Sequence, residues 1–424
     1  MTDVLRLQTL RYALHTDANT FTGIGDSPFT GLLGGTAPLP LQITDDGASF
    51  LPRQRTPIER PLKSLGGRRY PHIRGAQDTA DLSVALEFKG VNSNTGGAVT
   101  SWEAKMEQGY LLQSLFGAAA AATASTASTV DSTGHTPASG VLQVVSGTNY
   151  AVGQVIAFAT SSGLQIGRVE IKATNVLTLQ HPYSGTPTTG ATVFRLGVYT
   201  VSDSTTQHVH AFFTAEGENF RRDYAGCAPM SMNIAIPNTG LVTMSSVFSP
   251  TTWSDPASGE ANPAYADPTA GNPIVNDGAI FRLDGVEFLL RNASITYNCA
   301  TAMRETSSRT NGKLGGVCGT GDGKSFMIEG ELYIGPSGNS LNEVVDNGSA
   351  NPDVVELLGS DVAAGQISTA REVALQVGTE IGGCMYALLP TADFRASVQG
   401  GGAFPVVKFQ AVGTGALPAT LAVG

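Results

Sequence analysis

Charge is scarce in this chain: only 14% of its 424 residues are Asp, Glu, Lys or Arg. Helical bundles and coiled coils carry far more, so a long-helix architecture is excluded. Cysteine is nearly absent as well, with Cys227, Cys299, Cys318 and Cys384 widely separated and no C-x-x-C pair. Neither a zinc site nor a disulfide scaffold is indicated, and buried free thiols are the expectation. No run of eighteen apolar residues occurs, which excludes an apolar membrane-spanning helix. Asp3, Arg6 and Arg11 stand where a secretion signal needs an apolar centre, so the chain is expected to be made and kept in a cytosol.

Catalytic signatures are missing too. There is no GxSxG, HExxH or EF-hand loop. Gly319 to Ser325 has the look of a phosphate loop, but Cys318 stands where the pattern needs glycine, and a strand follows where a helix N-terminus should face the phosphates. His208 and His210 share one strand face with no third ligand spaced nearby. The expectation is no enzyme, no metal and no cofactor.

What the chain does have is 51 glycines, 22 prolines and abundant Thr and Ser, the composition of short strands joined by many turns. The organising stretch runs from His208 to Phe248. Met230, Met232, Ile234 and Ile236 fall at every second position, Pro237 to Gly240 turns the chain, and Val242, Met244, Ser246 and Phe248 resume the alternation. Period two marks strands with one buried face, so this is a hairpin whose apolar sides share a core.

Taken in order, residues 1–50 read as an irregular arm that orders by packing on something else. The next segment holds the one basic run: Arg53, Arg55, Arg60, Lys63, Arg68, Arg69 and Arg74 against Glu59 alone. Its prolines and the Gly66-Gly67 pair preclude a regular helix, so it is expected as a long loop or arm. Three readings are open: docking on an acidic surface of a neighbouring subunit, a solvated loop, or nucleic-acid binding, which lacks stacking aromatics other than Tyr70. From Glu343 onward eight carboxylates face only Arg371, Arg395 and Lys408, an asymmetry that suits head-to-tail contacts between copies. The net charge of -10 argues against a protein that grips phosphates.

Leu82, Val84, Leu86 and Phe88 predict a half-buried strand. Thr100 to Glu103 fits a capping box, and Trp102, Met106, Tyr110, Leu112, Leu115 and Phe116 follow at helical spacing up to Gly117, so one amphipathic helix should pack on the sheet. A small-residue linker spans residues 118–140. Val141 to Leu196 then reads as short strands forming a small barrel, an insertion expected to project outward. Residues 250–278 form a long proline-rich surface loop containing Trp253, a candidate contact with a partner. Further strands are expected at Ile280 to Arg291, Ala293 to Ala302, Lys324 to Ile334, Ile367 to Val377, Gly382 to Leu389 and Phe404 to Val412, with a short helix starting at Asp353.

The alternating strand, the glycine-containing turn, the aromatic-basic strand ending in Tyr224-Ala225-Gly226-Cys227 and the Ser-rich hairpin resemble the major tail tube proteins of long-tailed bacteriophages. The resemblance is one of pattern, spread over residues 40–120 and 198–412. It implies a mainly β, tail-tube-like antiparallel sandwich or barrel with one packed α-helix and a small inserted β-barrel. On it, residues 1–50 are the N-terminal arm, 51–125 with 200–424 the discontinuous main domain, and 135–198 the outward-facing insert. It also implies hexameric rings stacked into a virion tail tube, assembled in the host cytoplasm. The implied partners are further copies of the chain, a tape measure protein, tail terminator and distal tail or baseplate proteins, and genomic DNA passing through the lumen without specific binding. No membrane insertion is implied. Arg53, Arg55, Arg60, Lys63, Arg68, Arg69, Arg74 and Trp253 would carry inter-subunit contacts. The alternative is a secreted or virion-surface β-rich module for adhesion or carbohydrate binding.

Overall fold

The computed structural model describes residues 7–14, 39–41, 43–49, 54–58, 73–78, 81–91, 97–99, 101–123, 125–201, 211–217, 220–254, 271–305, 313–317, 323–333, 370–399, 406–414 and 418–424. The chain is mainly β, with one α-helix among the described residues. Its centre is the 17-residue strand Phe220–Ile236, which pairs with Ala211–Gly217 along its first half and with Thr243–Ser249 and Val286–Asn298 along its second. Met232, Ile234, Ile236, Val242, Met244 and Phe248 are all buried, as the period of two requires.

Six antiparallel strands close into a barrel. Ile280–Leu283 pairs with Val286–Asn298, which pairs with Ser325–Tyr333, then Val406–Gly413, Gly383–Gln399 and Ala370–Glu380, and the last returns to Ile280–Leu283. Closure leaves these strands without a free edge. Phe281, Ile295, Ile328, Leu375, Ala387 and Val407 belong to one continuous core with the central hairpin. Asp284 and Gly285, at φ 50° and 83°, make the tight reversal between the first two barrel strands. Sequence pattern divides the second of these at Asn292, but the structure keeps Val286–Asn298 continuous and puts an irregularity between Leu290 and Asn292. A bulge interrupts alternation without ending a strand.

The helix is shorter than its spacing predicts. It covers Gly109–Phe116, preceded by a 3-10 turn at Glu103–Lys105, and Thr100 of the expected capping box lies outside the described residues. Glu103 accepts from the Ala120 amide at 2.7 Å, while Gly109 lies so close to Glu103 that any side chain there would strike its backbone. Gly117 ends the helix in the left-handed conformation, φ 79°. Phe116 stacks on Tyr297 with ring centroids 5.1 Å apart, which fixes the helix on the sheet.

A second hydrophobic core, containing Val130, Leu142, Ile156, Phe158, Val169, Leu177 and Tyr183, sits within residues 128–196. Five strands run in the order Phe194–Arg195, Val155–Thr160, Gly163–Ala173, Val176–Leu179, Val141–Gln143. Bridges from Thr129 to Thr192 and from Val130 to Val144 complete the ring, so a piece of the segment read as linker serves as a barrel wall. The basic run, expected as a loop or arm, begins and ends as paired strands, Gln54–Ile58 with Ile73–Asp78. Pro57 is tolerated because it sits at the register irregularity of a two-stranded ribbon.

Candidate functional site: the open wall of the barrel

The barrel wall has two halves that are covered differently. On one half, the barrel strands Val286–Asn298, Ser325–Tyr333, Val406–Gly413 and the far end of Gly383–Gln399 lie side by side, and the sheet extends beyond the barrel through Phe220–Ile236, Thr243–Ser249 and Leu82–Glu87. Because every strand alternates, the residues between the core positions line up in rows across the sheet. One row reads Ala85, Ser245, Asn233, Thr296, Met327, Val412 and Asp393. The next reads Glu87, Thr243, Ala235, Ser294, Glu329, Gln410 and Arg395. Strand spacing makes each row roughly 29 Å long.

Short side chains on this wall bind one another. Asn233 Nδ2 donates to Thr296 Oγ1 at 3.0 Å, and Ser294 Oγ donates to Glu329 at 3.2 Å. Glu331 accepts from Arg291 at 3.0 Å and from Asn292 at 3.1 Å, with Lys408 at 3.8 Å. At one end a shallow groove of about 630 Å³ opens, lined by Pro237, Leu241, Asn292, Glu329, Glu331 and Lys408 among others. Gly330 makes part of that hollow: a Cβ there would meet the Asn292 carbonyl at 2.2 Å. The wall is therefore a flat, hydrogen-bonded, mixed-charge surface without an enclosed cleft.

The other half of the wall is covered at its centre. The residues facing outward from Ala370–Glu380, Gly383–Gln399 and Thr420–Val423, namely Ala374, Tyr386, Leu388 and Ala422, pack with Cys384 against Val155, Ala157, Ile166 and Leu196 of the smaller barrel. Gln376, almost wholly buried, reads the edge of the smaller barrel as a strand would: its Oε1 accepts from the Ile166 amide at 3.0 Å and its Nε2 donates to the Leu164 carbonyl at 2.9 Å. At the rim, Glu372 contacts His181 at 2.5 Å and accepts from Gln180.

Nucleophiles and metal ligands are poorly placed. Cys227, Cys299 and Cys384 are buried free thiols; burial pushes Cys227 well up and Cys384 up to about 12, so neither ionises at neutral pH. Among the described residues there is no cluster of three His, Cys, Asp or Glu side chains able to hold a metal ion, and no helix is long and apolar enough to cross a membrane.

Of the residues singled out in sequence, Arg55 and Arg74 lie on the paired strands Gln54–Ile58 and Ile73–Asp78, and Trp253 pairs with Tyr224 on Thr252–Ser254. Arg53, Arg60, Lys63, Arg68, Arg69, Cys318, His208, His210 and the Asp353 helix fall outside the described residues. Sequence reasoning missed Gln376 and the groove. The one available signal was the polar Gln within the apolar run Val373 to Val377. No protein-family model matches the chain, and no curated protein matches it in sequence.

Proposed function

We propose that this is a structural subunit of a phage tail tube, assembling into stacked rings around a conduit for DNA, with the open wall offered to the passing polymer and the smaller barrel directed away from it. The observation that carries this reading is the open wall itself. Seven antiparallel strands present rows in which Ser, Thr, Asn and Ala stand beside Met327, Val412 and Gln410, with carboxylates at Glu87, Glu329, Glu331 and Asp393 offsetting Arg291, Lys408 and Arg395. Such a surface, with its charges of both signs interspersed, gives phosphate no cationic stripe to bind. Edge strands outside the closed barrel, such as Gly197–Thr200, which among the described residues pairs only with Thr420–Val423, would be buried by ring formation. The basic ribbon and the Trp253 strand would contribute contacts between rings.

Negative-stain electron microscopy of the purified chain at increasing concentration, with its mass in solution, tests this. Rings or tubes with a central hole are expected, and Thr296→Lys combined with Ser294→Lys should leave tubes intact while making them retain DNA. A second reading, a binding module, is favoured by the groove beside Leu241 and Glu331. A chain that stays monomeric at all concentrations and takes up a soluble oligosaccharide would move that reading to first place.

A further inference from the structure

Buried polar atoms without a hydrogen-bond partner lie at the seam between the two barrels, among them Arg282 Nε, Tyr386 Oη and Gln180 Oε1; Gln180 donates to Glu372, and Glu372 and Arg282 both lie near enough to act on the Tyr386 hydroxyl. Their placement follows from register. Arg282 pairs with Ala374 and Tyr386 with Gln376, so all four side chains leave the same outer face of the large barrel, and that face is the one covered by Ile166 and Leu164. Arg282 is 2% exposed and Tyr386 0%. Around them three guanidinium groups face three carboxylates: Arg282 pairs with Glu287, Arg371 with Asp284 at 2.7 Å, Glu372 meets His181, and Arg168 lies near enough to act on Tyr386.

A buried hydroxyl or guanidinium N–H left unpaired costs as much as a lost hydrogen bond, so such atoms are normally satisfied. A balanced charge set gives an anion or cation no net attraction. Two donors and an amide acceptor gathered in one polar site match the two to four partners that an internal water needs. We infer that the seam is a hydrated latch, in which buried water bridges Tyr386 Oη and Arg282 Nε on the large barrel to Gln180 Oε1 on the smaller one. The inner part of the seam, around Leu388, Ile166 and Leu196, stays dry and apolar. Docking of the smaller barrel thus combines an apolar contact, the direct Gln376 clamp and a wet polar rim.

Tyr386→Phe removes only the hydroxyl, and its sign decides the matter. If water bridges the hydroxyl, the full-length variant melts about 1–3 °C lower than the parent. An unchanged or higher Tm means that the hydroxyl was a dry, unpaired group and overturns the inference. A high-resolution density map gives the independent readout. A solvent peak within hydrogen-bond reach of both Tyr386 Oη and Arg282 Nε is expected. A lowered Tm with the hydroxyl bonded directly to a protein group and no such peak overturns the latch as well.

Discussion

The two halves of the barrel wall are built from strands of one sheet, yet they differ in every second residue. On the open half, Ser294, Thr296, Glu329 and Glu331 alternate with Ala293, Ile295, Ile328 and Leu332, one face polar and one apolar. On the covered half the strands are buried on both faces: Val373 to Val377 and Cys384 to Leu389 are buried without interruption, and apart from Gln376 and the Tyr386 hydroxyl they are apolar. Inward residues Val373, Leu375, Met385 and Ala387 join the main core, while Ala374, Tyr386 and Leu388 face the smaller barrel. Alternation marks a face left to water, and an unbroken apolar run marks a strand with structure on both sides.

Replacing matched residues on the two halves should separate them most sharply. Leu388→Ala, emptying the seam, is expected to cost about 2–5 kcal/mol, whereas Thr296→Ala on the open wall should stay within about 0.5 kcal/mol. Urea midpoints of the two variants provide the comparison; equal losses would mean that the covered half is wet throughout.

A smaller effect is expected at the clamp. Gln376→Leu keeps the volume but strands the Ile166 amide and the Leu164 carbonyl, at a cost of about 2 kcal/mol. Hydrogen exchange should show faster exchange at Ile166, with Ile295 and Ile328 on the open half unchanged.

The smallest effect concerns alkaline pH. Burial raises Tyr150 and Tyr183 in the smaller barrel from 10.0 to about 12, and Cys384 in the seam from 9.0 to about 12. Each folded value lies above the unfolded one, so the stabilisation is complete below the unfolded value and is lost as pH rises through it toward the folded value. The Tm should hold to about pH 9 and decline by a few degrees toward about pH 11. Tyr150 and Tyr183 should contribute tyrosinate absorbance only as the smaller barrel unfolds.

How far this fold could be read in advance depended on the range of the contacts involved. The hairpin around Met232 and Met244, the strands at Leu82–Glu87 and Ser325–Tyr333, and the glycine end of the helix at Gly117 were legible because each is set by neighbours a few residues away. Not legible were the bond of Glu103 to the Ala120 amide, 17 residues along the chain, and the pairing of Gln54–Ile58, at one end of the basic run, with a strand beyond fourteen intervening residues. Of the candidate site, the polar positions were visible as the gaps between core residues, but their alignment into rows was not.

By itself the sequence determined that this chain is mainly β, which faces of its principal strands are buried, and that its buried cysteines are thiols and not a scaffold, because periodicity and composition are local properties. Tertiary structure alone decided that six strands close into a barrel, that Ser128 to Val130 completes a second one, and which half of the first barrel is left open. Those outcomes rest on pairings such as Gln376 with Ile166, 210 residues apart, where strand register and the shape of the covered surface select one partner among many apolar runs.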